Sequence, residues 1–315
     1  MPRAHKPRAG SLQFWPRKRA RRIYPRVRSW PSIDKASLLG FMGYKVGITQ
    51  IQAIDQNPNR KIKDPVVHAA TIIECPPLKV FSVRYYKNTA YGIRAVGEKL
   101  ADNLDKKLQR KVRLPKKPKN KEIKDYDNIR LLVYTQPNLT AIRKKKPELF
   151  EIALSGTKEE KSALANKYIG SEIKVSDILK ENSLVDIHAV TKGYGFQGSI
   201  KRFGLALKSH KSEKTRRSAG NLGSWRPKRV SFRIPQHGQT GYHTRTDYNK
   251  QIFKISNKTE EVNPKSGFLH YGFVKNEYLI VKGSIPGHIK RAVRITFPIR
   301  PYKNVYPYQI LQIKK

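Results

Sequence analysis

From end to end, the chain alternates between stretches with a clear hydrophobic period and long stretches with none. Residues 36–54, ASLLGFMGYKVGITQIQAI, set short apolar runs between glycines, and 66–76, VVHAATIIECP, form the β-branched run of a buried strand. Further strands are predicted at LKVFSVRYYK (78–87), NIRLLVYTQ (128–136) and SLVDIHAVTKG (183–193). Two more, EYLIVKGSIPG (277–287) and KRAVRITFPI (290–299), are joined by a turn. Helical spacing occurs twice. In 98–112, Leu100, Leu104, Leu108 and Val112 recur every fourth residue and predict an amphipathic helix. In 157–169, Thr157 stands three residues before Glu160, the pattern of a capping box. The run KKPKNKEIK (116–124) reads as a polar linker. The expected fold is therefore mainly β with an α+β insertion at 98–170. Glycine-rich strands on both sides of that insertion predict one β-barrel assembled from distant segments.

Two aperiodic stretches change this picture. Residues 1–33 show no period of 3.6 or 2, and Pro2, Pro7, Pro16, Pro25 and Pro31 would break a helix repeatedly. Phe14, Trp15, Tyr24 and Trp30 alternate there with arginines. That mixture fits an arm that orders on binding, with guanidinium groups on phosphates and rings on bases or in apolar crevices. A disordered basic tail or a localisation signal is the competing reading. Removal of residues 1–30 is expected to leave the barrel folded. The second stretch, 187–246, is as basic and as irregular.

Charge makes the division sharper. The 315 residues hold 66 Lys and Arg against 23 Asp and Glu, a formal net charge of +43. Residues 1–33 and 187–246 together carry 23 cations and one carboxylate, Glu213, about half of the net charge in under a third of the chain. Residues 278–315 add eight cations and no acid. Self-repulsion of this size points to a polyanionic partner and away from a free-standing metabolic enzyme. No apolar run approaches the ~18–20 residues of a helical membrane span, and no secretory signal is expected at the N-terminus. One cysteine, Cys75, excludes an intramolecular disulfide and a cysteine-cluster zinc site, and fits a reducing setting.

The candidate chemistry lies in the second basic stretch. Gly193-x-Gly195-x-x-Gly198 follows a predicted strand, but the acidic residue that a dinucleotide site needs about 20 positions on is replaced by basic sequence. With Lys192, Lys201 and Arg202 beside it, the turn reads as backbone brought close to a sugar-phosphate chain. Further on, Lys208, His210, Lys211, Lys214, Arg216, Arg217, Arg226, Lys228 and Arg229 bracket Trp225. Gly220 and Gly223 favour a tight turn there, which would set the ring near a loop tip; a buried core tryptophan is the alternative. Gln236, His237, Gln239, Tyr242, His243 and Arg245 form a polar set suited to hydrogen bonding and stacking on RNA. As metal ligands, His237 and His243 would need helical spacing or acidic or cysteine companions, and only Asp247 is near. In the N-terminal arm, Arg17, Lys18, Arg19, Arg21 and Arg22 are the candidate RNA contacts. No cofactor, metal, small-molecule substrate or catalytic residue is expected. Two rivals remain at this point: a chromatin-type DNA-packaging protein, which fits the charge, and an RNA-modifying enzyme, which would need a cofactor pocket or a paired acid and base.

The stretches GFMGYKVGITQI (40–51), VVHAATIIECPP (66–77), VTKGYGFQGSIKRFG into KSHKSEKTRR, GSWRPKRVSFRIPQHGQTGYHTRTDYNKQIFKI (223–255) and KGSIPGHIKRAVR (282–294) form a specific set. Together they resemble the universal large-subunit ribosomal protein three family in its archaeal/eukaryotic form. The resemblance runs from the arm to about residue 296. It implies a translation-protein-type β-barrel with long extended arms that enter large-subunit rRNA, and neighbouring large-subunit proteins as partners in the cytoplasm. It also implies that the tryptophan at the tip of a central extension, here Trp225, approaches the peptidyl-transferase region. The expected organisation is a basic arm (1–35), barrel segments (36–97, 171–197 and 251–300), the insertion (98–170), the central extension (198–250) and a C-terminal tail (301–315). Two positions depart from the family pattern. The eukaryotic form carries a modified histidine in a Thr-His-Arg triplet where this chain reads Thr215-Arg216-Arg217, and Arg226 follows the tryptophan where relatives often have histidine.

Overall fold

A computed structural model describes residues 9–61, 63–115, 123, 125–226 and 228–314. The first eight residues of the arm and, Ile123 apart, the linker expected at 116–124 lie outside the described residues. The fold is mainly β and divides into two compact units, one of Met1–Ile23 with Val190–Arg245 and one of Tyr24–Ala189 with Thr246–Lys315.

The larger unit holds two sheets. The first uses β1 (Gly40–Asp55), β2 (Val66–Glu74), β8 (Leu184–Val190), β11 (Thr244–Ser256), β12 (Tyr278–Lys282), β13 (Ala292–Thr296) and β14 (Tyr308–Ile313). Their order is β13-β8-β11-β12-β2-β1-β14, and β13 pairs also with β1, so the path of pairings returns to its start. The first half of β1 is buried, pairing with β13 over Gly40–Tyr44 and with β2 from Tyr44 onward. Gly43 is needed there: a Cβ would stand 2.5 Å from Ile73 and 2.8 Å from the Glu74 carbonyl. Val46, Ile51, Ile72, Phe253, Tyr278 and Ile280 fill the interior. The residues expected as a tail, 301–315, contain β14, which pairs antiparallel with β1. Tyr308, Ile310 and Ile313 pack on the core from it.

The second sheet is formed by β3 (Leu78–Thr89), β4 (Gly92–Leu100), β5 (Asn128–Tyr134), β6 (Leu149–Ala153) and the short β7 (Glu172–Ile173), in the order β4-β3-β5-β6 with β7 on β3. Residues 36–97, expected as one barrel segment, are therefore divided: β1 and β2 join the first sheet, β3 and β4 the second. The helix expected over 98–112 does not form. Glu98, Lys99 and Leu100 pair with β3, Glu98 binds Arg84 at 2.9 Å, and the Asp105 carboxylate caps the Lys107 N–H to start a 3-10 turn at Lys106–Arg110. Leu100, Leu104 and Leu108 still reach one cluster, with Phe81, Leu132 and Tyr134, so the apolar stripe is satisfied by a strand end and a turn. The second expected helix is present as α1 (Lys158–Tyr168). Its capping box is complete, with the Thr157 N–H donating to Glu160 at 2.8 Å and the Glu160 N–H to Thr157 at 3.4 Å.

Three buried polar side chains of this unit are well partnered. Glu74 receives the Lys275 and Asn276 N–H groups, the Asn276 amide and the Tyr271 hydroxyl. His188 bonds Thr246 at 2.9 Å and Thr296 at 3.1 Å, and burial, with Arg294 second, lowers its pKa to about 4. Arg294 is almost wholly buried, and burial pulls it down to about 10. Its guanidinium donates to the Pro25 carbonyl at 3.2 Å and the Glu151 carbonyl at 2.6 Å, beside the rings of Trp30 and Phe150. Residues 24–30, assigned in sequence to the free arm, thus belong to this core. Tyr24 and Val27 are buried, and the Tyr24 hydroxyl donates to the Leu149 carbonyl. Their apolar surface, and the acceptor that Arg294 requires, draw the segment in.

Candidate nucleic-acid interface

The smaller unit is built from the arm and the second basic stretch. Its regular structure is a two-stranded ribbon, β9 (Gly193–Gln197) with β10 (Gly238–Gly241), and the single-turn helix α2 (Ser199–Phe203). The Gly193-x-Gly195-x-x-Gly198 motif runs along β9, and the helix after it is one turn long. Gly241 sits at φ +70°, where a Cβ would meet the Lys192 carbonyl at 2.0 Å. This close approach lets the Tyr242 N–H donate to that carbonyl at 2.9 Å.

Residues 9–23 pack against this ribbon through backbone and rings. The Ala20 N–H donates to the Tyr242 carbonyl at 2.8 Å. Trp15 stacks on Phe203 at 6.2 Å and meets Phe232 edge-on at 5.7 Å. Gly10 lies so close to Phe203 that a Cβ would stand 2.3 Å from its ring. The Arg17 guanidinium lies 4.4 Å from the Phe203 centroid and that of Arg202 5.1 Å from it, so two cations share one buried ring.

The candidate residues fall into two groups. Arg202 is an internal clamp: it donates to the carbonyls of Gln239 at 3.1 Å, Gln236 at 3.0 Å and His237 at 3.2 Å, and so holds the turn into β10. His243 is buried, and its Nδ1 lies 2.9 Å from the Lys18 carbonyl. A carbonyl only accepts, so Nδ1 carries the proton. Burial lowers its pKa; the Lys18 carbonyl opposes this, and the charges of Arg245, Arg17 and Arg202 add to the lowering. Gln239 donates to the Gly241 carbonyl at 3.0 Å, and Gln236, Tyr242 and Arg245 are half-buried. Burial pulls the Arg17, Arg202 and Arg245 guanidinium groups below their ordinary range, and for Arg17 the charges of the other two add to it.

The second group faces outward. Lys18, Arg19, Arg21, Arg22, Lys192, Lys201, His210, Lys211, Lys214, Arg216, Arg217, Arg226, Lys228, Arg229 and His237 are exposed. Lys208 is half-buried and donates to Ser218 at 2.7 Å, while its N–H donates to the Arg216 carbonyl at 3.2 Å. These bonds shape the basic segment without a carboxylate. Trp225 is 85% exposed, at a turn where the Lys228 N–H donates to the Trp225 carbonyl at 3.0 Å. A cleft of about 540 Å³, lined by Leu222, Gly223, Trp225, Lys228, Arg229 and Val230, opens beside the ring. Across residues 9–23 and 190–245 there are eighteen Lys and Arg and one carboxylate, Glu213. The unit cannot neutralise itself.

A family model described as Ribosomal protein L3 matches residues 1–127 and 113–306. The chain belongs to the ribosomal protein L3 family. Among similar proteins, the large ribosomal subunit protein uL3 of Archaeoglobus fulgidus is 45% identical over 310 residues, covering 95% of this chain and 93% of the relative. That of Methanobrevibacter smithii is 43% identical, covering 96% and 94%, and that of Methanothrix thermoacetophila 41%, covering 99% and 97%.

The smaller unit also exposes rings that its hydrophobic pattern does not single out. Tyr194 and Phe196 on β9, with Phe232, are each more than half exposed. The signal was present in GYGFQG, where rings separated by glycine have no flanking side chains to bury them. Among the described residues no cluster of three His, Cys, Asp or Glu could hold a metal ion, and no helix is long and apolar enough to cross a membrane.

Proposed function

We propose that the chain is a structural constituent of the large ribosomal subunit in the cytoplasm, with large-subunit rRNA and neighbouring ribosomal proteins as its partners. The observation that carries this reading is the self-incompatible charge of the smaller unit, twenty-one cations to one carboxylate, in a member of a ribosomal family. Its action is electrostatic and needs no catalytic residue. Cations of the arm and of the extension neutralise phosphates where RNA helices crowd, and exposed rings meet unstacked bases. Arg17, Arg202 and His243 keep the arm and the ribbon together, while Arg19, Arg21, Arg22, Lys192, Lys201 and the cations between Lys208 and Arg229 take the phosphates. The larger unit is the translation-protein-type barrel, its first sheet closed through β13 and β1, with the second sheet and α1 as the inserted domain. The extension carries Trp225 toward the peptidyl-transferase region.

The test is the salt dependence of binding between the full chain and a large-subunit rRNA fragment. Engagement of about ten phosphates gives a log–log slope of roughly −7 to −9. A slope flatter than about −3, or methyl transfer or hydrolysis by the purified protein, contradicts this function.

A further inference from the structure

The ribbon of β9 and β10 carries two rings that stay more than half exposed. Tyr194 is 54% and Phe196 72% exposed, although rings of this size normally supply core packing. Phe196 lies opposite Gln239 in the strand register, and its ring centroid is 5.2 Å from that of His237, tilted by 47°. The Lys201 ammonium lies 5.7 Å from the centre of the Tyr194 ring. Between and beyond the rings the backbone is bare: a Cβ at Gly195 or Gly198 would find no atom within 4 Å. Gly195 lies in the left-handed region at φ +69°, and the register shifts between Gln239 and Gly241. This bulge interrupts strand alternation between the two rings, so each is a contact surface of its own.

The charge around the rings selects the partner. From Ile187 to Ser212 there is no carboxylate, while Lys192 and Lys201 beside the ribbon are exposed. An apolar protein partner gains nothing from such a rim, whereas a single nucleic-acid strand needs both a π-face for each base and a cation for each phosphate. Bare glycine backbone permits the close approach of a sugar-phosphate chain.

We propose that the β9–β10 ribbon is a stacking platform for unpaired RNA bases, one on Phe196 beside His237 and one on Tyr194, with Lys192 and Lys201 holding the intervening phosphates. This rests on the rRNA-binding reading and locates within it a site that reads unpaired strand. The full chain is titrated with an unstructured RNA decamer containing 2-aminopurine, and with an RNA duplex of equal charge. Phe196→Leu keeps apolar surface but removes the π-face. It weakens decamer binding by roughly 5- to 150-fold and reduces the 2-aminopurine quench, while duplex affinity and its salt slope stay unchanged. Phe196→Tyr restores both, and Tyr194→Leu gives a second, separate loss. Unchanged decamer affinity and quench in both Leu variants overturns the platform while leaving rRNA binding intact. An equal loss on decamer and duplex reassigns the rings to general folding of the unit and also overturns it. Failure of the unsubstituted chain to bind either RNA is the distinct result that removes the broader function.

Discussion

Trp225→Ala separates a contact residue from a packing residue. At 85% exposure the ring keeps only about 15% of its surface covered by the chain. For a side chain of roughly 200 Å² that is about 30 Å², worth about 0.8 kcal/mol at 25 cal/mol per Å². Trp15 is the internal control. It stacks on Phe203 and meets Phe232 edge-on, so Trp15→Ala costs its unit about 2 kcal/mol or more. Urea denaturation of the two full-length variants, followed by large-subunit incorporation and peptidyl-transfer assays, reads both effects. Trp225→Ala is expected to unfold with the unsubstituted chain to within about 1 kcal/mol and to impair peptidyl transfer or alter the response to antibiotics of that site. A loss of 3 kcal/mol or more with normal translation would show the ring to be a core residue and refute the reasoning.

Two further perturbations probe the larger unit. Deletion of residues 1–22 should leave its melting unchanged and weaken incorporation into large subunits, whereas deletion of 1–30 also removes Tyr24, Val27 and the Pro25 carbonyl that Arg294 uses. Losing one acceptor of that buried guanidinium together with the burial of Tyr24 and Val27 costs roughly 3 kcal/mol or more, so identical melting curves for the two deletions would contradict the core role of residues 24–30. His188 titrates near 6.5 when unfolded and near 4 when folded, so the unfolded chain binds the proton more readily. Its contribution is whole above about pH 6.5, declines as pH falls, and is fully lost below about pH 4, a change of roughly 3 kcal/mol. Stability of the unsubstituted chain relative to His188→Gln should fall by that order between pH 7.5 and pH 4, and parallel curves would refute it.

Much of the first sheet was legible because LVDIHAV and the second half of VVHAATIIE are buried on both faces and read as continuous apolar runs. The capping box of α1 was legible because its two partners are local. What was not legible depended on distant partners. The leucines of 98–112 keep helical spacing, yet Glu98 meets Arg84 and Leu100 pairs with Ser82, and strand pairing overrode the period. The C-terminal YQILQI is short and breaks the strand period at Leu311, so it does not announce a strand until β1 supplies its edge. In the interface, residue type identified the cations but could not divide them. Arg202 and Arg19 look alike in sequence; only the carbonyls of Gln236, His237 and Gln239 around Arg202 make it a clamp. His243 was chosen as a polar contact and is an internal bond to Lys18, since nothing local to GYHTR reveals that the arm lies against it. Tyr194 and Phe196 were overlooked because rings in a strand are ordinarily core.

The most direct test of the central claim is a density map of the large ribosomal subunit containing this chain. The chain is expected in that particle with residues 9–23 and 190–245 surrounded by rRNA, phosphates against the exposed lysines and arginines from Lys192 to Arg229, and Trp225 in contact with RNA. A map in which that unit faces solvent, or in which its cations meet protein carboxylates instead of phosphates, would contradict it.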